Sequence, residues 1–316
     1  AAKPKVTKNS AGYYLWNVLN KEEKTFDLTR IITGSQGTLG IITEAKLRLI
    51  KPKPHTRLVV IFLKDIKPVA EVAQHVLRYK PESFESYDNN TFKLAVKLFP
   101  DIAKKLKGNI IRLAFSFLPE FWMVLTGGIP KLVLLAEFTG ETAEEAQKKA
   151  EEAEADLKKV SGFKTKVTRS NQEAEKYWVI RRESFNLLRH HVKGLRTAPF
   201  IDDFVVHPND LPEFLPKLYK ILGRYNIFYT IAGHVGDANF HIIPLIDLSK
   251  PEAKTIIKNL SQEVYRLVFD FGGSTTGEHN DGLIRTPFLK MMYGDNVYNL
   301  FEETKKIFDP KGIFNT

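Results

Sequence analysis

The sequence predicts an α+β fold in which an antiparallel sheet is covered by helices. Three observations carry that expectation. Apolar residues alternate with period two over several short runs, as in half-buried strands. Between those runs lie segments whose apolar residues recur at helical spacing. Two strand-like runs, 227–234 and 239–245, are joined by a short turn, Val235 to Ala238, as in a hairpin.

In chain order, strand-like runs at 30–33 and 40–49 flank the glycine-rich loop GSQGTLG. The second run sets Ile42, Glu44, Lys46 and Arg48 against Ile41, Thr43, Ala45 and Leu47. Lys-Pro-Lys-Pro at 51–54 is a stiff connector and marks a domain boundary. A strand over 56–63 and a helix over 67–79 follow, the helix spacing Val69, Val72, Ala73 and Val76 on one face. The apolar region 110–138, broken by Pro119, Gly127 and Pro130, reads as buried core with loops, ending in a strand from 131. Thr142 with Glu145 forms a capping box that opens a helix to about residue 160. Strands over 163–167 and 199–206, a helix over 211–225, the hairpin, and helices over 252–271 and 297–307 complete the order.

The chain has 316 residues, 43% of them hydrophobic, enough for one large or two ordinary cores. It has no Cys, which excludes disulfides, thiolate ligands and Cys nucleophiles. No run is apolar enough to suggest a membrane span. The net charge of +10 is spread along helices among acids rather than clustered with aromatics, which argues against nucleic acid as a partner. The opening, KNSAGYYLWNVL, reads as mid-domain, an expectation of further sequence upstream.

The chemistry sits in GHVGDANFH (233–241) and GEHNDG (277–282). In the hairpin, His234 lies opposite Asn239, and His241 shares a face with Asn239. Two imidazoles so placed can reach one cation at about 2.1 Å each. Glu278, beside His279 in a glycine-rich loop, is the candidate third ligand; His₂Glu leaves positions open for substrate. Asp237 in the turn supports backbone or ligands. From spacing alone, ordinary hydrogen-bonded histidines remain the competing account. GSQGTLG is neither GxGxxG nor a P-loop; it presents backbone N–H groups to an anion, or it is a tight turn. Arg181, in YWVIRRESFNLLR, either grips a carboxylate or belongs to a solvated helix face.

Together, GSQGTLGIITEAKLRL, WVIR, GHVGDANFH, GEHNDG and FDPKGIFN resemble, in this order, the FAD-linked 2-hydroxy-acid oxidoreductases. This group contains the glycolate oxidase subunit, D-lactate dehydrogenase and D-2-hydroxyglutarate dehydrogenase, within the vanillyl-alcohol-oxidase type flavoproteins. The resemblance runs from about Lys8 to Asn315. It implies a partial FAD-binding domain plus a substrate cap: residues 1–54, a cap over 55–275, and a return segment over 276–316. It implies that Gly12, Tyr13, Gly34, Ser35, Thr38, Gly40, Ile42 and Asn315 line FAD. His234, His241 and Glu278 match the ligands of a divalent metal, usually zinc. His279 matches the general base, Arg181 the carboxylate grip, and Asn239 a residue facing substrate.

The implied reaction is oxidation of a D-2-hydroxy acid to the 2-oxo acid by hydride transfer to FAD. The alternative is a non-catalytic metal-binding subunit or remnant that needs a partner chain for FAD. The implied partners are a small hydroxy acid, the rest of the FAD domain, and an electron acceptor such as a quinone or an iron–sulfur protein. With no Cys in this chain, any such cluster lies on another. The expected location is cytoplasmic, free or peripheral at a membrane. Three departures stand out, the largest being that the family's N-terminal pyrophosphate-binding subdomain, with its glycine-rich loop, is expected to lie outside this sequence. Ala238 and Asn280 occupy positions where the family pattern has Gly, so a positive φ at Ala238 would be strained.

Overall fold

The computed structural model of the protein describes residues 3–22, 24–97, 122, 128–160, 163–191 and 194–315. Nearly all of the expected apolar stretch from 110 to 127 lies outside them.

Two short strands, β1 (Leu19–Asn20) and β2 (Thr25–Phe26), pair with each other. Where a strand was expected over 30–33, the chain forms a single helical turn, α1 (Thr29–Ile32). The cause is local: Asp27 accepts from both the amide and the hydroxyl of Thr29, fixing a turn that an apolar run would not announce. The run 40–49 forms no strand either. Its alternation is real, but no neighbouring strand exists for it among the described residues. Ile41, Leu47 and Leu49 are exposed there. A strand needs a paired edge as well as a pattern.

The main unit then runs β3 (His55–Leu63), α2 (Val69–Arg78), β4 (Ser83–Asp88), α3 (Asn89–Lys97), β5 (Leu132–Gly140), α4 (Ala143–Leu157), β6 (Phe163–Val167) and α5 (Asn171–His191). It continues with β7 (Arg196–Thr197), β8 (Ile201–Val205), α6 (Leu211–Leu222), β9 (Phe228–His234), β10 (Asn239–Ile246) and α7 (Glu252–Asp270). The tail holds α8 (Gly282–Arg285) and α9 (Leu289–Phe308), which is broken at Gly294.

The strands form one antiparallel sheet, β6-β3-β5-β4-β9-β10, with β7 and β8 successively along the outer edge of β10. The α+β expectation holds, with helices on both faces. Strand β3 is buried on both sides, so its sequence is a continuous apolar run rather than a strict alternation. Val59, Ile61 and Leu63 join the core under α2, α4, α6 and α7. Leu58, Val60 and Phe62 pack with Tyr87 and with Tyr177 of α5. Helix α4 buries Ala146, Ala150, Ala153 and Leu157, one stripe of a helix. Its Thr142 cap accepts from the amide of Glu145, one half of the capping box, while the Glu145 carboxylate accepts from the Glu141 amide instead of that of Thr142.

Residues near the N-terminus pack away from the sheet. Ala11, Tyr13 and Trp16 cluster with Tyr293 and Phe301 of α9. Gly12 has φ +67°, and a Cβ there would fall 2.4 Å from the Phe301 ring, so this close approach requires glycine. No helix among the described residues is long and apolar enough to cross a membrane.

Strand β4 and helix α3 were not anticipated. They meet at Asp88, a carboxyl buried beneath the sheet end. Burial raises its pKa from 3.8 to about 6, against hydrogen bonds from Thr91 that favour the charged form. A folded value above the unfolded one means a contribution to stability that is complete below pH 3.8 and is lost as pH rises through about 6. Asp88→Asn keeps an acceptor for the Thr91 amide and removes the charge. Urea denaturation across pH 4 to 8 should show the variant more stable at the alkaline end, by up to about 3 kcal/mol. Identical pH profiles for variant and wild type would refute this.

Candidate functional site

The hairpin takes the register that its pattern implies. His234 pairs with Asn239 and His241 with Ala232. The two imidazole rings lie 5.3 Å apart, centroid to centroid. Gly233 permits the close crossing, since a Cβ there would sit 2.2 Å from the carbonyl oxygen of Asn239. A one-turn 3₁₀ segment, Val235–Asp237, makes the bend and ends at Ala238 in the left-handed region, φ +49°. A positive φ is therefore kept without glycine, at a cost of order 1 kcal/mol.

Strand β8 carries what the sequence reading missed. It reads IDDFV, two adjacent carboxylates inside an apolar, fully buried strand. The register against β10 slips between Phe240 and His241, so that Asp203 is left over as a bulge with φ +69°. Both Asp202 and Asp203 are thereby committed to the site.

Asp203 anchors the GEHNDG loop. Its Oδ2 accepts from the amides of Glu278 and His279, at 3.0 and 2.8 Å, and from the Thr276 hydroxyl. Its Oδ1 accepts from Asn239 Nδ2 at 3.0 Å, and its carbonyl accepts from the Gly277 amide. Burial opposes its ionisation, but these donors outweigh it and hold its pKa below the ordinary value.

Asp202 orients imidazoles. Its Oδ1 lies 2.9 Å from His241 Nδ1 and its Oδ2 lies 3.4 Å from His279 Nδ1. Arg285 fixes the strand from behind by donating twice to the Asp202 carbonyl. Despite burial, the two histidines hold the Asp202 pKa at about 2. The hydrogen bond to Asp202 in turn lifts His279 above the usual imidazole value. The rings of His241 and His279 stack at 5.2 Å.

His234 has its own carboxylate. Its Nδ1 meets Glu85 Oε1 of β4 at 2.5 Å, and its Nε2 lies 3.2 Å from Glu278 Oε1. Glu278 also takes a hydrogen bond from Lys8, and its pKa stays low although burial pushes the other way. One potential ligand atom each from Asp203, His241, Glu278 and His279 lies within 4.8 Å of the others. Within this group Asp203 is spent on backbone and Asn239 donors, so its oxygens are poorly placed to serve a cation. Of that group His241, Glu278 and His279 remain; His234 lies outside it, with Nε2 on the same Glu278 oxygen. His234 and His241 each have Nδ1 fixed by a carboxylate, which leaves Nε2 as the electron-pair donor. Glu278 supplies the negative oxygen.

Two further expected residues lie around this cluster. Arg181 Nη2 contacts Glu85 Oε2 at 3.2 Å, so it stands one carboxylate away from His234. It borders a cleft of about 490 Å³ with Ser83, Glu137 and Trp178. Asn239 is wholly buried, and its amide nitrogen is given to Asp203 and the Phe204 carbonyl.

A second cavity, of about 460 Å³, brings together Gly12, Tyr13, Gly34, Ser35 and Thr38. Tyr13 and Thr38 hydroxyls are 2.6 Å apart. Asn315 donates to the Gln36 carbonyl, and Lys305 donates to the carbonyls of Thr38 and Phe314, tying the FDPKGIFN tail to the loop. Gly40 has nothing within 4 Å of a Cβ position, and Ile42 is exposed; neither joins this cavity. Asn280 links the two sites. It sits at φ +59°, where Asn is tolerated without glycine, and its Nδ2 donates to the carbonyls of Ser10 and Gly34.

Residues 52–316 match the family of FAD linked oxidases, C-terminal domain. The chain belongs to that family. The D-2-hydroxyglutarate dehydrogenase of Haemophilus influenzae is 26% identical over 323 residues, covering 99% of this chain and 30% of that protein. Glycolate oxidase subunit GlcD of Bacillus subtilis is 27% identical over 94% of this chain and 58% of its own length. The mitochondrial D-lactate dehydrogenase [cytochrome] of Arabidopsis thaliana is 25% identical over 93% of this chain and 47% of its own. The chain thus spans between about a third and somewhat over half of these relatives. In fold it is similar to 4-ethylphenol oxidase from Gulosibacter chungangensis, with a TM-score of 0.60 at 13% identity over 85% of this chain and 54% of that one. It is likewise similar to alkyldihydroxyacetonephosphate synthase, with a TM-score of 0.58 at 14% identity over 94% of this chain and 49% of that one.

The signal for the missed acids was present, since paired carboxylates in an apolar strand demand partners. Glu85 and Lys8 gave none, because their partners are distant in sequence. Asp203→Ala should lower stability in urea by about 3 kcal/mol, from lost charge-assisted bonds and a strained φ. A loss under about 1 kcal/mol would show that the loop docks without it.

Proposed function

We propose that this chain is the substrate- and metal-binding part of a flavin-dependent dehydrogenase. Its substrate is a D-2-hydroxy acid of the lactate, glycolate or hydroxyglutarate type, and its product the 2-oxo acid. One observation carries the reading. Two carboxylate-anchored imidazoles and Glu278 converge beside His279, on a loop whose next residue holds the Gly34 cavity in place.

In this reading His234, His241 and Glu278 hold a divalent cation, with zinc favoured by the donor set. Gly12, Tyr13, Gly34, Ser35, Thr38 and Asn315 border the flavin; Gly40 and Ile42 reach it only where residues 40–50 find a sheet to join. A cation held there would supply polarisation of the substrate hydroxyl, and bound FAD would supply the hydride acceptor.

The residues of the chain do the rest. His279 has Nδ1 on Asp202, which fixes the ring and leaves Nε2 to take the hydroxyl proton. Arg181 grips the substrate carboxylate, and Glu85 holds both Arg181 and His234 at a set separation. Asn239 and Asp203 hold the loop so that Glu278 and His279 keep their spacing.

The test combines elemental analysis with a visible spectrum of the intact protein, with FAD added. About one zinc per chain and an absorbance band near 450 nm bleached by a D-2-hydroxy acid support the reading. Colourless protein free of metal overturns it. His279→Ala and Glu278→Gln should each reduce turnover by at least about a hundredfold with the fold intact by circular dichroism. A near-normal rate for His279→Ala removes the base assignment.

A further inference from the structure

Among the described residues of the N-terminal segment, Lys8 brings its side chain onto the candidate metal cluster, and the mechanism above does not use it. Its Nζ lies 2.6 Å from Glu278 Oε1 and 3.1 Å from Asp237 Oδ2. The same Glu278 oxygen is 3.2 Å from His234 Nε2. An ammonium and an imidazole edge therefore meet on one carboxylate oxygen. The backbone around Lys8 is pinned on both sides. The Thr7 hydroxyl donates to the Asp237 carbonyl, the Ser10 amide donates to the Thr276 carbonyl, and Asn9 accepts from the Ser274 hydroxyl.

The neighbouring charges explain why a cation belongs there. Glu85 is balanced by Arg181, and Asp202 by Arg285 and two histidines. Asp203 is saturated by hydrogen-bond donors. Glu278 and Asp237 have Lys8. An ammonium and a divalent ion on one oxygen repel strongly, so they exclude each other. The flexible lysine stem can leave Glu278 while keeping Asp237, without any backbone movement.

We propose that Lys8 is an internal cation that competes with the divalent metal for Glu278, seated on that carboxylate in the metal-free protein and shifted onto Asp237 when the metal is taken up. This rests on the reading of His234, His241 and Glu278 as ligands. The ammonium offsets one of the two carboxylate charges of Glu278 and Asp237 and sets a threshold for metal loading.

The experiment measures Zn²⁺ affinity of the intact, metal-stripped protein by competition with a chromogenic chelator at pH 7. Lys8→Met preserves length and removes charge; it should bind zinc about tenfold more tightly. Lys8→Arg should bind like wild type. Asp237→Asn removes the waiting carboxylate, and should weaken zinc binding in the wild-type background but far less in the Lys8→Met background. Affinity that is unchanged or weaker in Lys8→Met overturns the proposal while leaving the metal reading intact. Should Lys8→Met not fold, Asp237→Asn alone decides: weaker binding supports competition and unchanged binding overturns it. Wild-type protein that takes up no zinc ends both readings at once.

Discussion

The site depends on a single backbone irregularity, the bulge at Asp203. In a regular strand Asp202 and Asp203 would face opposite sides of the sheet. The slip against β10 turns both toward the hairpin end, at the cost of a positive φ on a non-glycine residue. Strain of this kind costs about 1–3 kcal/mol and persists only where the surroundings over-determine it. Here they do: five donors reach the Asp203 carboxylate and carbonyl from two other segments. The bulge thereby converts a stable sheet edge into a mount for a glycine-rich loop that has almost no core of its own.

A layered support follows from that mount. Carboxylates from two strands, Glu85 on β4 and Asp202 on β8, each fix the Nδ1 side of an imidazole from the hairpin. The partners of these histidines are contacted in turn, Glu85 by Arg181 and the Asp202 carbonyl by Arg285. The rigid half of the site is thus built from sheet, and the half bearing Glu278 and His279 from loop.

Much of this was legible in the sequence and some was not. The hairpin was, because a side-chain period of two fixes which residues share a face once the turn is located. The helices and central strands were, because each buries a simple stripe or a continuous run. Glu278 was singled out by its place beside His279 in a glycine-rich loop and then supported by the resemblance of its motif, since nothing local ties residue 278 to residue 234. Asp202 and Asp203 were overlooked because a bulge has no signature in hydrophobic period. Glu85 and Lys8 were invisible because their contacts span 149 and 270 positions. The run 40–49 misled in the opposite way: its alternation is that of a strand, but pairing is a property of two segments, and only one is present among the described residues.

Asn280 has a consequence of its own. One short side chain, on a residue that also occupies an unusual backbone angle, fastens the loop of the imidazole cluster to the wall of the Gly34 cavity. The two hollows therefore have a common hinge pin. Any displacement of the glycine loop is transmitted to His279, its immediate neighbour in sequence, so neither hollow can be re-engineered in isolation from the other.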